Sequence, residues 1–284
     1  MWDASLMPWA PELFTAPALQ SLEAKRNRKF ETVPFFDGIL TGEVDALIGS
    51  FAGEPVLYHP VRGRLRGRRE FEVYVRDTQA WLTERNCAID EVLTIHGKSH
   101  GAGEAILHLD GGGAPVDLPV AIAADRVRDG RLAELRVYYS GWPLTARHAH
   151  RQPVLQPDPK LRAPDVVADY QRALAAGDLD GILSTFEPDG YAREPAGGRF
   201  IHRGPDALRA FYEQMFSNDG GITLQHCGLI DDGHACALEY NAVGWGKTEL
   251  SPQAGMAVHV RGETGKLAAA RIYDDVNPPI GSRK

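Results

Sequence analysis

The chain states one pattern twice. Gly42-Glu43-Val44-Asp45 recurs 135 residues later as Gly177-Asp178-Leu179-Asp180, and Phe51, Pro60 and Gly63-Arg64 recur as Phe186, Pro195 and Gly198-Arg199. The offset holds to the far ends of the two copies. Leu132, Arg136, Tyr138 and Pro143 return as Leu267, Arg271, Tyr273 and Pro278. This period is too long for a solenoid unit and is about the size of a whole small domain. The 284 residues have room for two cores of their own. The two copies must therefore share one architecture, and the positions at which they differ show which of them keeps the groups for chemistry.

The second copy is the easier to read. Pro164-Asp165 opens a helix with Val166, Val167, Tyr170 and Leu174 on one face, and Gly177 ends it. Asp178 caps a short second helix carrying Leu179, Ile182, Leu183 and Phe186 inward. Tyr191 to Glu194 reads as a strand, followed by a turn at Gly197-Gly198. Gly204-Pro205-Asp206 starts a third helix, with its proline where a missing N–H costs nothing. Strand-like runs follow at 222–230, 235–243, 255–260 and 267–273. The first copy repeats this order from about Thr32 to Pro143. The expected fold is α+β: two cone-shaped domains, each of three helices packed on a curved antiparallel sheet. The expected bounds are 27–145 and 164–280, with a proline-rich linker at 146–163. Residues 1–26 have no counterpart. Their Trp2, Leu6, Trp9, Leu13 and Phe14, set among prolines, suggest a strap lying over the folded body.

The bulk numbers exclude several classes. A net charge of −7 argues against a nucleic-acid partner, which needs a basic surface. The five arginines between Arg62 and Arg69 read as a solvated loop and helix start. No apolar run approaches a membrane span, and the N-terminus lacks the basic start and apolar core of a signal peptide, so a cytoplasmic protein is expected. Cys87, Cys227 and Cys236 cannot form a disulfide framework, although Cys227 and Cys236 could face each other across a hairpin. Gly97-Lys98-Ser99-His100-Gly101 matches the string of hydrolase nucleophiles but joins two strand-like runs, so it reads as a turn. Neither His96 with His100 nor His148 with His150 has the companions of a metal site. Gly111-Gly112-Gly113 reads as a hairpin tip.

Residues 170–182, Tyr-Gln-Arg-Ala-Leu-Ala-Ala-Gly-Asp-Leu-Asp-Gly-Ile, continue in Arg193-Glu194-Pro195-Ala196-Gly197-Gly198 and Arg203-Gly204-Pro205. Over nearly all of 164–278 this resembles the nuclear transport factor 2-like superfamily, which includes the SnoaL-like polyketide cyclases and ketosteroid isomerase. The fold carries many chemistries and many plain binding roles. In ketosteroid isomerases an acid before a proline shuttles the proton, and the resemblance puts Glu194 there. A tyrosine on the first helix donates to the developing oxyanion, and Tyr170 stands there. The protonated acid of a late strand falls on Ala257 or Met256, neither of which can donate, and Asp274 on the last strand is the substitute. The resemblance sends Cys236, Leu238 and Tyr240 inward, while a one-residue slip would send Glu239 and Asn241 instead. Trp245 stands as a ligand lid or core filler. In the first copy Phe35, His59 and Tyr139 replace Tyr170, Glu194 and Asp274, so that pocket is a different site or a structural copy.

These residues favour a cofactor-free acid/base enzyme of the isomerase, cyclase or epoxide-opening type. It would act on a small, largely apolar metabolite in the second pocket through Glu194, Tyr170 and Asp274, with Tyr240, Trp245, His59 and Tyr139 binding ligand. The rival is a non-catalytic module that binds a small ligand or another protein. The two copies are expected to pair as an internal pseudo-dimer, and a further homodimer stays open.

Overall fold

The computed structural model describes residues 35–110, 114–275 and 279–280. The apolar strap, the glycine triplet and Pro278 lie outside the described residues. The first copy runs α1 (Phe35–Thr41), α2 (Val44–Gly49), β1 (Val56–His59), β2 (Gly63–Arg66), α3 (Arg68–Glu84), β3 (Ala88–His96), β4 (His100–Asp110), β5 (Pro115–Arg126) and β6 (Leu132–Tyr138). A short α4 (Trp142–Thr145) follows. The second copy runs α5 (Asp165–Ala176), α6 (Leu179–Ser184), β7 (Phe186–Arg193), β8 (Ile201–Arg203), α7 (Gly204–Met215), β9 (Ile222–Asp231), β10 (Ala235–Trp245), β11 (Thr248–Arg261) and β12 (Leu267–Tyr273). Residues 146–164 carry no helix or strand.

The two sheets have the same strand order, β2-β1-β6-β5-β4-β3 and β8-β7-β12-β11-β10-β9. The identity reaches their irregularities. Val92 is the extra residue of a bulge opposite Glu104 and Ala105, and Cys227, at the same offset, is the extra residue opposite Glu239 and Tyr240. The sheets are antiparallel, as expected, apart from one parallel pair in each. In each, the first strand pairs parallel with the last, β1 with β6 and β7 with β12. A parallel pair needs a long crossover, and here the helices and three hairpin strands supply it.

Local chemistry explains the helix breaks. Gly42 and Gly177 both take left-handed backbone, at φ 73° and 68°, where a side chain would be strained. The next residue starts the second helix. Asp178 caps it by accepting from the Gly181 N–H at 2.9 Å, whereas Glu43 makes no such side-chain cap. Between β3 and β4 the Gly97 N–H bonds the His100 carbonyl, so the Lys98-Ser99 stretch is a hairpin turn.

Each sheet buries one face under its own helices and the other against its counterpart. Ile95, Ala102, Ala123 and Tyr138 of the first sheet form one cluster with Ala237, Val258 and Tyr273 of the second. The alanines let the backbones approach closely. Two buried ion pairs cross this junction. Arg136 donates to both oxygens of Glu239, at 2.6 and 2.9 Å, with the Tyr138 hydroxyl at 2.7 Å from the same carboxylate. Arg271 grips both oxygens of Glu104, with the Tyr273 hydroxyl at 2.5 Å. Glu239 therefore faces the junction and Tyr240 the pocket. Cys236 opposes Asp231 rather than Cys227, and all three cysteines are free thiols. No helix among the described residues is long and apolar enough to cross a membrane.

Candidate functional site

The helices α5 and α7 and the inner face of the second sheet enclose a cavity of about 160 Å³. Its wall is mostly apolar, from residues such as Leu174, Phe211 and Leu224, and Tyr170, Glu194, Tyr240, Trp245 and Asp274 all line it. Alternation puts them there. Along β10, Tyr240 and Ala242 face the cavity while Glu239 and Asn241 face away, and Glu194 follows Arg193 onto the opposite side of β7. Ala257 lines the wall and Met256 faces the junction, so the position of a late-strand acid is a methyl group.

Glu194 is 4% exposed. Its Oε1 accepts from His202 Nε2 at 2.8 Å and its Oε2 from the Ile280 N–H at 2.5 Å. His202, on β8, is held by stacking on Phe211 with ring centroids 4.3 Å apart. Tyr170 does not point its hydroxyl at Glu194. It shares a 2.9 Å hydrogen bond with the Tyr212 hydroxyl, and burial pushes its pKa up to about 12. Burial, with Asp274 alongside, likewise holds Tyr240 well above the usual tyrosine range, and Tyr240 donates to Asp274 Oδ2 at 2.8 Å. Trp245 Nε1 donates to the Met215 carbonyl at 2.6 Å, which fixes the indole as wall. Asp275 turns the other way, but into the domain junction rather than to solvent, where Ser140 donates to it.

His202 and Tyr212 were not singled out from sequence as site residues. β8 is three residues long, too short to show a period, and Tyr212 sits among the apolar residues of α7 as any core tyrosine would. Gln171 also lines the cavity. It links His226, at 3.2 Å, to the buried His259, at 3.4 Å.

The first sheet and its helices enclose a separate cavity of about 330 Å³, lined by His59 and Tyr139 among others. The Tyr139 hydroxyl lies 3.5 Å from His59 Nε2. The two copies thus place His59 and Glu194, and Tyr139 and Asp274, at matching positions of different pockets. Among the described residues no cluster of His, Cys, Asp and Glu could hold a metal ion.

Residues 167–270 match the family model of the SnoaL-like domain. Solved structures similar to the chain include a SnoaL-like protein of unknown function from Burkholderia thailandensis, at 17% identity over 38% of this chain and 90% of that one, with a TM-score of 0.32. Another is an epoxide hydrolase/cyclase-like enzyme of pyran ring formation in salinomycin, at 20% identity over 38% and 87%, TM-score 0.33. A third, from Catenulispora acidiphila, has a ketosteroid isomerase-like fold in complex with trimethylamine, at 13% identity over 41% and 90%, TM-score 0.35. No curated protein matches the sequence.

Proposed function

We propose that this SnoaL-like domain is a cofactor-free acid/base catalyst of the isomerase, cyclase or epoxide-opening type, acting on a small, largely apolar metabolite in the 160 Å³ cavity. The observation that carries this reading is the buried Glu194 carboxylate at an apolar wall, joined at 2.8 Å to an imidazole. Glu194 is the group that moves the proton, and His202 orients the carboxylate and steadies its charge. The Tyr170 and Tyr212 hydroxyls share one hydrogen bond, so the pair keeps one O–H to offer a developing oxyanion. The raised pKa keeps Tyr170 protonated for that task. Asp274, with Tyr240 attached, is the second polar point on the wall and would orient or protonate a leaving oxygen.

A binding module without chemistry is the second reading. It is favoured by the same contacts, since Glu194 and Asp274 already accept hydrogen bonds within the protein. Two measurements separate them. Native mass spectrometry of the purified chain identifies the class of any ligand carried along. Ring opening of 5-nitrobenzisoxazole reports a carboxylate base in an apolar pocket. Under the catalytic reading the chain accelerates this reaction, and Glu194→Gln lowers the rate by ~10²-fold or more, the usual scale for a positioned base, with the fold intact. A rate unchanged by Glu194→Gln refutes the assignment.

A further inference from the structure

The first-domain cavity is the larger of the two, about 330 against 160 Å³, and the function proposed above makes no use of it. Its wall is aliphatic and aromatic, including Phe35, Trp81, Leu107 and Leu118. His59, at the end of β1, is set into that wall, and Arg62, Tyr74, Asp77, Thr78 and Tyr139 line it as well. His59 Nδ1 accepts from the backbone N–H of Val61 and of Arg62, each at 3.2 Å. A nitrogen that accepts two hydrogen bonds carries no proton, so the proton of the neutral ring sits on Nε2. Tyr74 and Tyr139 pack edge-on against the ring, with centroids 5.4 and 5.6 Å away, and fix its orientation.

Among the described residues the Nε2–H has no strong partner. The Tyr139 hydroxyl lies 3.5 Å from it, at the outer limit of a hydrogen bond. Two donors therefore converge on one point of an apolar cavity without satisfying each other. Both stay neutral donors over the ordinary pH range. Burial, with Arg62 and Arg151 nearby, lowers the His59 pKa to about 3, and burial raises that of Tyr139 to about 12. Arg62 on the rim is paired with Asp77 at 2.9 Å, and Arg151 lies over the Tyr138 ring at 4.3 Å.

We infer that the first-domain cavity is a second ligand site, which takes an uncharged, largely apolar carbonyl compound such as a ketone, lactone or ester, its oxygen accepting from His59 Nε2–H and Tyr139 O–H. A carbonyl oxygen has two lone pairs and uses both donors at once. The two donors are neutral and need no charge on the oxygen that accepts from them. With His59 neutral, the site binds and polarises a carbonyl but holds no base poised near neutral pH.

The test is a fluorescence titration of the full chain with Prodan, a neutral naphthyl ketone, beside 2-dimethylaminonaphthalene, the same ring system without the acyl group. Saturable Prodan binding is expected. Tyr139→Phe and His59→Phe should each weaken it roughly five- to tenfold, the scale of one hydrogen bond. Neither should alter binding of the analogue that lacks the carbonyl. His59→Phe also strips an acceptor from two backbone N–H groups, so Tyr139→Phe, which touches no backbone, is the decisive variant. Ala257→Leu, which narrows only the second-domain cavity, should leave Prodan binding unchanged. Absence of saturable binding overturns the inference. So does equal affinity in Tyr139→Phe and the parent chain, or loss of binding in Ala257→Leu alone.

Discussion

Ser140 and Asp275 are the same position of the two copies, and they are hydrogen-bonded to each other, Oγ to Oδ1 at 2.7 Å. A position meets its own copy only on the axis that relates the copies. On either side of this contact the partners exchange, Arg136 of the first sheet holding Glu239 of the second and Arg271 of the second holding Glu104 of the first. The junction within the chain thus has the reciprocal contacts of a twofold interface. Two further arginines echo the symmetry without sharing the offset, Arg151 lying over the Tyr138 ring at 4.3 Å and Arg193 over the Tyr273 ring at 4.7 Å.

The two crossing ion pairs should respond unequally to mutation. Glu104→Gln leaves the Arg271 guanidinium buried, with the Tyr191 hydroxyl at 3.1 Å as its remaining side-chain partner, and should cost about 3–5 kcal/mol in urea unfolding. Glu239→Gln should cost clearly less. Arg136 keeps Asp125 at 2.9 Å and Glu134 at 2.6 Å. Equal losses would show that these two acids do not compensate.

Asp275→Ala should cost about 1.5–3 kcal/mol, the range for hydrogen bonds to a charged group. It removes the acceptor of the Ser140 hydroxyl, of the Gly141 N–H at 3.1 Å and of the Ala149 N–H at 2.9 Å. Hydrogen exchange at Gly141 and Ala149 should speed up in the variant. Unchanged exchange at both amides would mean that Asp275 does not hold this segment.

His202→Phe keeps a ring to stack on Phe211 but removes the N–H that reaches Glu194. Base-promoted opening of 5-nitrobenzisoxazole should fall by roughly tenfold, less than the ~10²-fold expected for Glu194→Gln. A larger loss for His202→Phe than for Glu194→Gln would reassign the base.

Stability should fall on acidification through the buried His259. Burial lowers its pKa from 6.5 to about 3, so the unfolded chain takes up the proton first. The unfolded state binds more protons between about pH 6.5 and pH 3, and stability rises with pH across that window. Urea unfolding of the parent chain and of His259→Gln at pH 7.5, 6 and 5 isolates this contribution. The parent should lose more stability than the variant as pH falls, and parallel curves would contradict it.

The repeat alone carried the architecture into view. One period of 135 residues requires two copies with one strand order, and Gly177-Asp178 marks where one helix stops and the next begins. Alternation along β10 put Tyr240 and Glu239 on opposite faces, and the resemblance named Tyr240 as the inward one. What alternation cannot say is what lies opposite each face. Glu239 is a charge in the middle of a buried strand, and the counter-charge that makes this tolerable, Arg136, comes from the other copy, 103 residues away. The parallel pairing of β7 with β12 left no local mark either, since its partners are separated by the whole domain. The Glu194–His202 contact depends on a three-residue strand that only the surrounding sheet holds in place. Local patterns record which way a side chain turns. Which group it meets depends on chain segments brought together by folding, and that information resides in no single stretch of the sequence.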